Sequence, residues 1–220
     1  MKIACVIPAY NVKKYLPKVV VDLPDMVDEI IVVNDCSTDG TTEIINRLPV
    51  TALHHAINRG QGAALKTGTE YALQNGADFI IHFDGDGQFQ SEDIPAMLEP
   101  LQSDQADVVF GSRFLNQTTK LPGLKRHVIM PLARIINRLF FNIKLTDPQS
   151  GFRAMNRKAA LLIQWQQDRM AHCNEILINA HSHSLRIVEV PITVIYEHFG
   201  QRFSGGIKIL RDLFFARLNK

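Results

Sequence analysis

Phe79-Ile80-Ile81-His82-Phe83-Asp84-Gly85-Asp86-Gly87-Gln88 is the stretch on which the reading of this chain turns. An apolar run ends abruptly in two carboxylates, two residues apart and interleaved with glycines. A buried strand that delivers its last residues to the carboxyl edge of a sheet would produce this pattern, and open α/β sheets bind their ligands at that edge. Two carboxylates with a neighbouring amide make a hard, all-oxygen donor set suited to Mg²⁺ or Mn²⁺ shared with a substrate's phosphates. The same letters also describe a strand followed by an Asp-Gly turn. The segments on either side decide between the two.

Towards the amino end, strands and helices alternate. Ile3 to Ile7 reads as a buried strand closed by Pro8-Ala9-Tyr10-Asn11, and Val12 to Leu23 as a helix with Leu16, Val19, Val20 and Leu23 on one face. Glu29 to Val33 is a second strand, ended by Asn34-Asp35, and Thr41 to Leu48 a helix behind the cap-rich Ser37-Thr38-Asp39-Gly40. Val50 to His54 is a third strand. Asn58-Arg59-Gly60-Gln61-Gly62 opens a helix from Ala63 to Gln74, which Asn75-Gly76 ends. This alternation predicts a parallel, doubly wound sheet. The strands are continuous apolar runs, as strands buried on both faces are. Each ends in a polar cluster, so Tyr10-Asn11, Asp35, His54-His55 and Asp84-Asp86 gather at one edge. That convergence favours a site over a mere turn.

Towards the carboxyl end, Glu92 to Gln102 is helical and Asp107 to Phe110 is a strand followed by Gly111-Ser112-Arg113. No acidic residue occurs from Val108 to Thr146, whereas Arg113, Lys120, Lys125, Arg126, Arg134, Arg138 and Lys144 do. Leu124 to Ile143 is also strongly apolar. It reads either as a helix against an anionic, greasy partner or as a core helix with a solvated basic face. Asp147 to Arg153 is a polar loop leading to a short strand. Arg157 to Gln164 and Asn174 to His183 are helical, and Leu185 to Glu197 holds two strand-like pieces around Pro191. Gly205 to Lys220 is amphipathic and basic. It would dock on anionic lipid, pack on the domain or meet a partner.

Composition excludes several classes. A chain of 220 residues, 46% hydrophobic and 21% charged, has the make-up of a globular protein, and its length fits a single domain over 1–220 with a basic helix at about 205–219. Cys5, Cys36 and Cys173 have no metal or redox spacing, which points to reduced thiols in a cytoplasm. Pro8 stops the first apolar run, so no signal peptide is read, and no run reaches the length that spans a bilayer. Membrane contact would be peripheral, on the cytoplasmic face. The net charge of +2, and a basic stretch interleaved with aliphatics instead of stacking aromatics, argue against nucleic acid.

Six motifs in order resemble family 2 glycosyltransferases, and among them the dolichyl- or polyprenyl-phosphate mannose/glucose synthase group. They are Ile7 to Asn11, Asn34 to Thr41, Asn58 to Ala64, Asp84 to Gln88, Gly111 to Arg113 and Asp147 to Arg153. The resemblance implies an α/β GT-A fold with a mostly parallel central sheet and helices on both faces, a nucleotide-sugar donor, and Mg²⁺ or Mn²⁺. It implies donor binding by Pro8, Tyr10, Asn11, Asp35, Gly62, Lys66, Asp84, Gly85 and Asp86. It implies metal ligation by Asp84, Asp86 and Gln88, with Asp86 and Arg113 carrying the catalytic step. Arg113, Arg126, Ser150 and Arg153 would face the acceptor phosphate, and Arg202, Ser204 and Lys208 the diphosphate. Many members have Glu where this chain has Val12, and Lys is frequent where it has Gln61.

The implied reaction is inverting transfer of a hexose from GDP-mannose or UDP-glucose to a polyprenyl phosphate, dolichyl or undecaprenyl. A phosphate monoester has a second pKa near ~6, so it is already ionised at neutral pH and needs cationic positioning instead of a base. A sugar-hydroxyl acceptor would need a base, for which Glu175 is the candidate. Glu175 also reads as an ordinary surface glutamate on a helix. A sugar-nucleotidyltransferase would carry a Gly-rich, cationic loop after the first strand, and Pro8-Ala9-Tyr10-Asn11 is not one. A non-catalytic binding module would have no need of both Asp84 and Asp86.

Overall fold

The computed structural model describes residues 1–115 and 145–195. The helices expected at 124–143 and 205–219 lie outside the described residues, as do Arg126, Arg202, Ser204 and Lys208.

Among the described residues seven strands form one sheet: β1 (Ile3–Ala9), β2 (Glu29–Asn34), β3 (Thr51–His54), β4 (Phe79–His82), β5 (Val108–Ser112), β6 (Arg153–Asn156) and β7 (Ile187–Pro191). Their order is β3-β2-β1-β4-β6-β5-β7, and every pairing is parallel except those of β6 with β4 and β5. Successive side chains of a strand point to opposite faces, and β1 shows the consequence. Ala4 and Val6 enter one core and Cys5 and Ile7 the other, all fully buried. Helices α3 (Gln61–Gln74), α5 (Arg157–Leu162) and α6 (His172–Ser182) cover the first face; α1 (Leu16–Val21), α2 (Thr41–Ile45) and α4 (Ile94–Gln102) cover the second. Helix α3 sits so close to the sheet that a Cβ on Gly68 would lie 2.3 Å from Val6 Cγ1. Only glycine permits that approach.

The chain runs outward from β1 to β2 and β3, then returns to lay β4 on the other side of β1. The strand order therefore reverses between β1 and β4, which is where open α/β sheets receive ligands. Val6 is the residue opposite His82, so β1 continues beyond the end of β4 and Asp84 emerges beside Pro8. The expected doubly wound parallel sheet is modified by β6. Its preceding loop already lies at the carboxyl edge, so β6 enters the sheet from there and must run antiparallel.

Two helices are shorter than their periodicity predicts. Tyr15 and Leu16 both donate backbone N–H groups to Val12 O, which makes 12–15 a turn and starts α1 at Leu16. Arg47 and Leu48 donate to carbonyls three residues back, so α2 tightens into turns after Ile45. No helix of the described residues is long and apolar enough to cross a membrane.

Candidate active site

The loops after β1 and β2 are stitched together by side chains. Asn11 takes the left-handed conformation that Asn tolerates (φ 55°), and its Oδ1 accepts from Thr38 N at 2.9 Å. Asn11 N donates to Ser37 Oγ, Val12 N to Thr41 Oγ1 and Lys13 N to Asp39 Oδ2. This leaves Tyr10 half exposed at the rim. Asp35 is closed off, and three donors hold its carboxylate: His55 Nδ1 at 2.8 Å, Arg59 N at 2.9 Å and Gly60 N at 2.7 Å. His55 Nε2 in turn meets Thr67 Oγ1 at 2.9 Å. In this structure Asp35 shapes the loop that begins α3.

That loop reaches the carboxylates of the opening motif. Gln61, the first residue of α3, donates its side-chain amide to Asp84 Oδ1 at 2.7 Å. On the other side Gly151 lies against Asp84: a Cβ there would be 2.6 Å from Oδ2. Burial first, and Asp86 second, push the Asp84 carboxyl up to about 7, while Arg153 opposes the shift. Burial also raises Asp86, whose oxygens accept from Gln88 N at 3.0 Å and Gln88 Nε2 at 2.9 Å. Two neighbouring carboxylates, one of which raises the proton affinity of the other, with an amide in reach, fit a divalent cation. No group of three or more His, Cys, Asp or Glu side chains arranged to hold a metal occurs among the described residues. A groove of about 260 Å³ opens beside Asp86 and Gln88, walled by Lys14, Tyr15 and Ile195.

On the far side of the switch point, β5 delivers Arg113. Asp147 grips its guanidinium with two bonds, Nε to Oδ2 at 2.6 Å and Nη2 to Oδ1 at 2.7 Å. Asp147 is itself placed by Glu189 on β7, which accepts from Asp147 N at 2.9 Å and Thr146 N at 2.8 Å. Arg113 stays about a quarter exposed beside a buried carboxylate, a pre-oriented cation at the edge.

The remaining expected site residues are distributed unevenly. Pro8, Tyr10, Asn11, Asp35, Gly85 and the Asp84/Asp86 pair share one end of the sheet, and Lys66 lies half-buried on the first turns of α3. Gly62 is buried under the loop 167–168, where its missing Cβ would stand 2.4 Å from Gln167 O. Ser150 and Arg153 do not reach the open edge, being 1% and 0% exposed. Arg153 faces β4, and its Nη2 lies 2.9 Å from Cys173 Sγ with the Phe110 ring beneath. Glu175 clamps a loop, its Oε2 accepting from Gln166 N and Gln167 N, both at 2.8 Å. Sequence reasoning did not assign Glu189, although a lone charge within Ile187-Val188-Glu189-Val190 was its signal, nor Gln61 as the partner of Asp84.

Together these features put a carboxylate pair and a carboxylate-held arginine at the carboxyl edge of a GT-A fold. A family model described as glycosyl transferase family 2 matches residues 4–161. The chain belongs to this family and is a glycosyltransferase. It is 33% identical over 241 residues to the UDP-N-acetylglucosamine–dolichyl-phosphate N-acetylglucosaminyltransferase of Methanococcus voltae, covering 98% of this chain and 96% of that protein. It is 31% identical over 225 residues to the undecaprenyl-phosphate mannosyltransferase of Micrococcus luteus, covering 94% and 89%. Among solved structures, Mycobacterium tuberculosis glucosyl-3-phosphoglycerate synthase in complex with Mg²⁺ and uridine diphosphate shares its fold, with a TM-score of 0.76 at 18% identity over 99% of this chain and 78% of that one.

Proposed function

We propose that this protein transfers a hexose from a nucleoside-diphosphate sugar, GDP-mannose or UDP-glucose, to a polyprenyl phosphate, with inversion and with a bound divalent cation. The observation that carries the reading is the Asp84/Asp86 pair at the strand-order reversal, with the Asp147-held Arg113 across from it. The relatives named for transfer to dolichyl and undecaprenyl phosphate support the acceptor.

The β1 and β2 loops, with Pro8, Tyr10 and Asn11, hold the nucleoside, and Asp35 fixes their floor. Asp84, Asp86 and Gln88 are the residues that would hold Mg²⁺ or Mn²⁺, which offsets the charge growing on the departing diphosphate. Arg113 orients the acceptor phosphate, whose own charge makes it the nucleophile, so no protein base is required. The occupied Oε2 of Glu175 favours this over a hydroxyl acceptor that would need Glu175 as base. A lipid-borne acceptor places the enzyme at the cytoplasmic membrane face, held peripherally. Salt-sensitive flotation with anionic liposomes checks that attachment, and its absence counts against it.

The test is a panel of nucleotide sugars assayed against polyprenyl phosphate with and without chelator. The reading expects one donor to label the lipid, and chelator to abolish the labelling. Chelator-insensitive transfer contradicts the metal, and labelling of soluble sugars alone contradicts the acceptor.

A further inference from the structure

Strand β7 lies beside β5 at one end of the sheet and carries a single charge among apolar residues, Ile187-Val188-Glu189-Val190. In the β5–β7 pairing Glu189 stands opposite Phe110, three residues short of Arg113. Backbone pairing with β5 holds the strand, and Val188 and Val190 pack against the core. The carboxylate serves a loop instead. It gathers three donors from two adjacent residues: Thr146 N at 2.8 Å, Thr146 Oγ1 at 3.0 Å and Asp147 N at 2.9 Å.

A carboxylate only accepts, so the bonds beyond it run in one direction. Thr146 gives its hydroxyl proton to Glu189 and therefore accepts from Ser112 Oγ at 2.5 Å. Ser112 Oγ, having donated, accepts from Phe114 N at 3.2 Å. The Phe114 ring centre then lies 5.4 Å from Arg113 Cζ. A second route is shorter. Glu189 fixes Asp147 N, and the Asp147 carboxylate accepts from Arg113 N, Nε and Nη2. Both routes leave from Glu189 and end at Arg113.

We propose that Glu189 is a positioning residue of the acceptor site, setting the direction of Arg113 through Thr146 and Asp147. The inference rests on the reading of Arg113 as the group that orients the acceptor phosphate. A guanidinium that meets phosphate through two bonds depends on its direction as well as its charge. A displacement of ~1 Å in the loop that holds it is therefore felt at the reacting atoms.

The test titrates a short-chain prenyl monophosphate, and separately uridine or guanosine diphosphate, into the full chain with Mg²⁺. Glu189→Gln keeps the shape but turns one accepting oxygen into a donor that faces the N–H groups of 146–147. It should weaken the prenyl phosphate by ~5–10-fold and leave the nucleotide unchanged. Made in an Arg113→Ala background, the same change should weaken the prenyl phosphate no further, because residues acting through one another do not add. Thr146→Val cuts the link to Ser112 and keeps the backbone bond to Glu189. It should show the same pattern at ~3-fold, and carries the test should Glu189→Gln not fold. Unchanged prenyl-phosphate affinity, an equal loss for the nucleotide, or a further loss in the Arg113→Ala background overturns the role of Glu189 alone. Arg113→Ala protein that binds prenyl phosphate as well as wild type overturns the reading of Arg113 and the inference with it. Wild-type protein that binds no prenyl phosphate overturns the proposed function.

Discussion

The side-chain amide of Gln61 donates to Asp84 Oδ1 at 2.7 Å, tying the first turn of α3 to the carboxylate at the end of β4. Through Gly60, whose N–H is held by Asp35, the end of β2 is coupled to the carboxylate pair in two hydrogen bonds. Gln61→Ala should lower Mn²⁺ affinity by ~5-fold, about 1 kcal/mol for one lost bond. Gln61→Lys should lower it further, by setting a like charge beside the cation. Titration by electron paramagnetic resonance checks this. Equal affinity in all three proteins would show that Gln61 does not position Asp84.

Gly151→Ala tests the other side of Asp84. The new Cβ would lie 2.6 Å from Asp84 Oδ2 and 3.1 Å from its Cγ and Oδ1, so the carboxylate must shift and stability should fall by about 1 kcal/mol. The displaced oxygen should cost turnover much more, ~10-fold or beyond. A variant with lower Tm and normal turnover would reverse this ordering.

Glu175→Gln distinguishes the two acceptor chemistries. The amide oxygen can still accept from Gln166 N and Gln167 N, so the loop stays in place and transfer should remain within ~10-fold. A general base would lose ~10²–10⁴ on this change. A loss of that size, measured at saturating acceptor, would argue for a hydroxyl nucleophile.

Asp107 lies at the opposite edge of the sheet, buried, with Arg186 and Asn156 bonded to its carboxylate. Hydrogen bonds from the Arg186 guanidinium hold it well below the ordinary carboxylate range. Because the folded value is depressed, its stabilisation is complete above the unfolded value near ~3.9 and is lost as pH falls below it. Asp107→Asn should therefore cost about 1.5–3 kcal/mol in urea denaturation at pH 7. The gap from wild type should narrow as the pH drops under ~4. A gap independent of pH would place the effect elsewhere, and activity should be unaffected because the site is at the far edge.

The strands and the gathering of polar groups at one edge were legible because β1, β2 and β4 are apolar on both faces and each stops at a polar residue. The position of β6 was not, since four residues after a polar loop carry no sign of strand direction. That direction decides Arg153: pairing opposite His82 turns its side chain under the sheet, although a surface loop was the natural reading. Asp35 and Glu175 illustrate a second limit. An isolated carboxylate gives no hint in sequence that backbone N–H groups far along the chain, or on the next loop, will claim it. Helices α1 and α2 begin or end where turn hydrogen bonds compete, which hydrophobic spacing does not register.

Transfer of labelled hexose to polyprenyl phosphate by the purified chain with Mg²⁺ or Mn²⁺, measured beside Asp86→Asn, addresses the central claim most directly. The account predicts labelled lipid from the wild type and a loss of ~10²–10³ in the variant, with little change in Tm. Labelled lipid formed equally by both proteins, or label found only on a sugar hydroxyl, would contradict it.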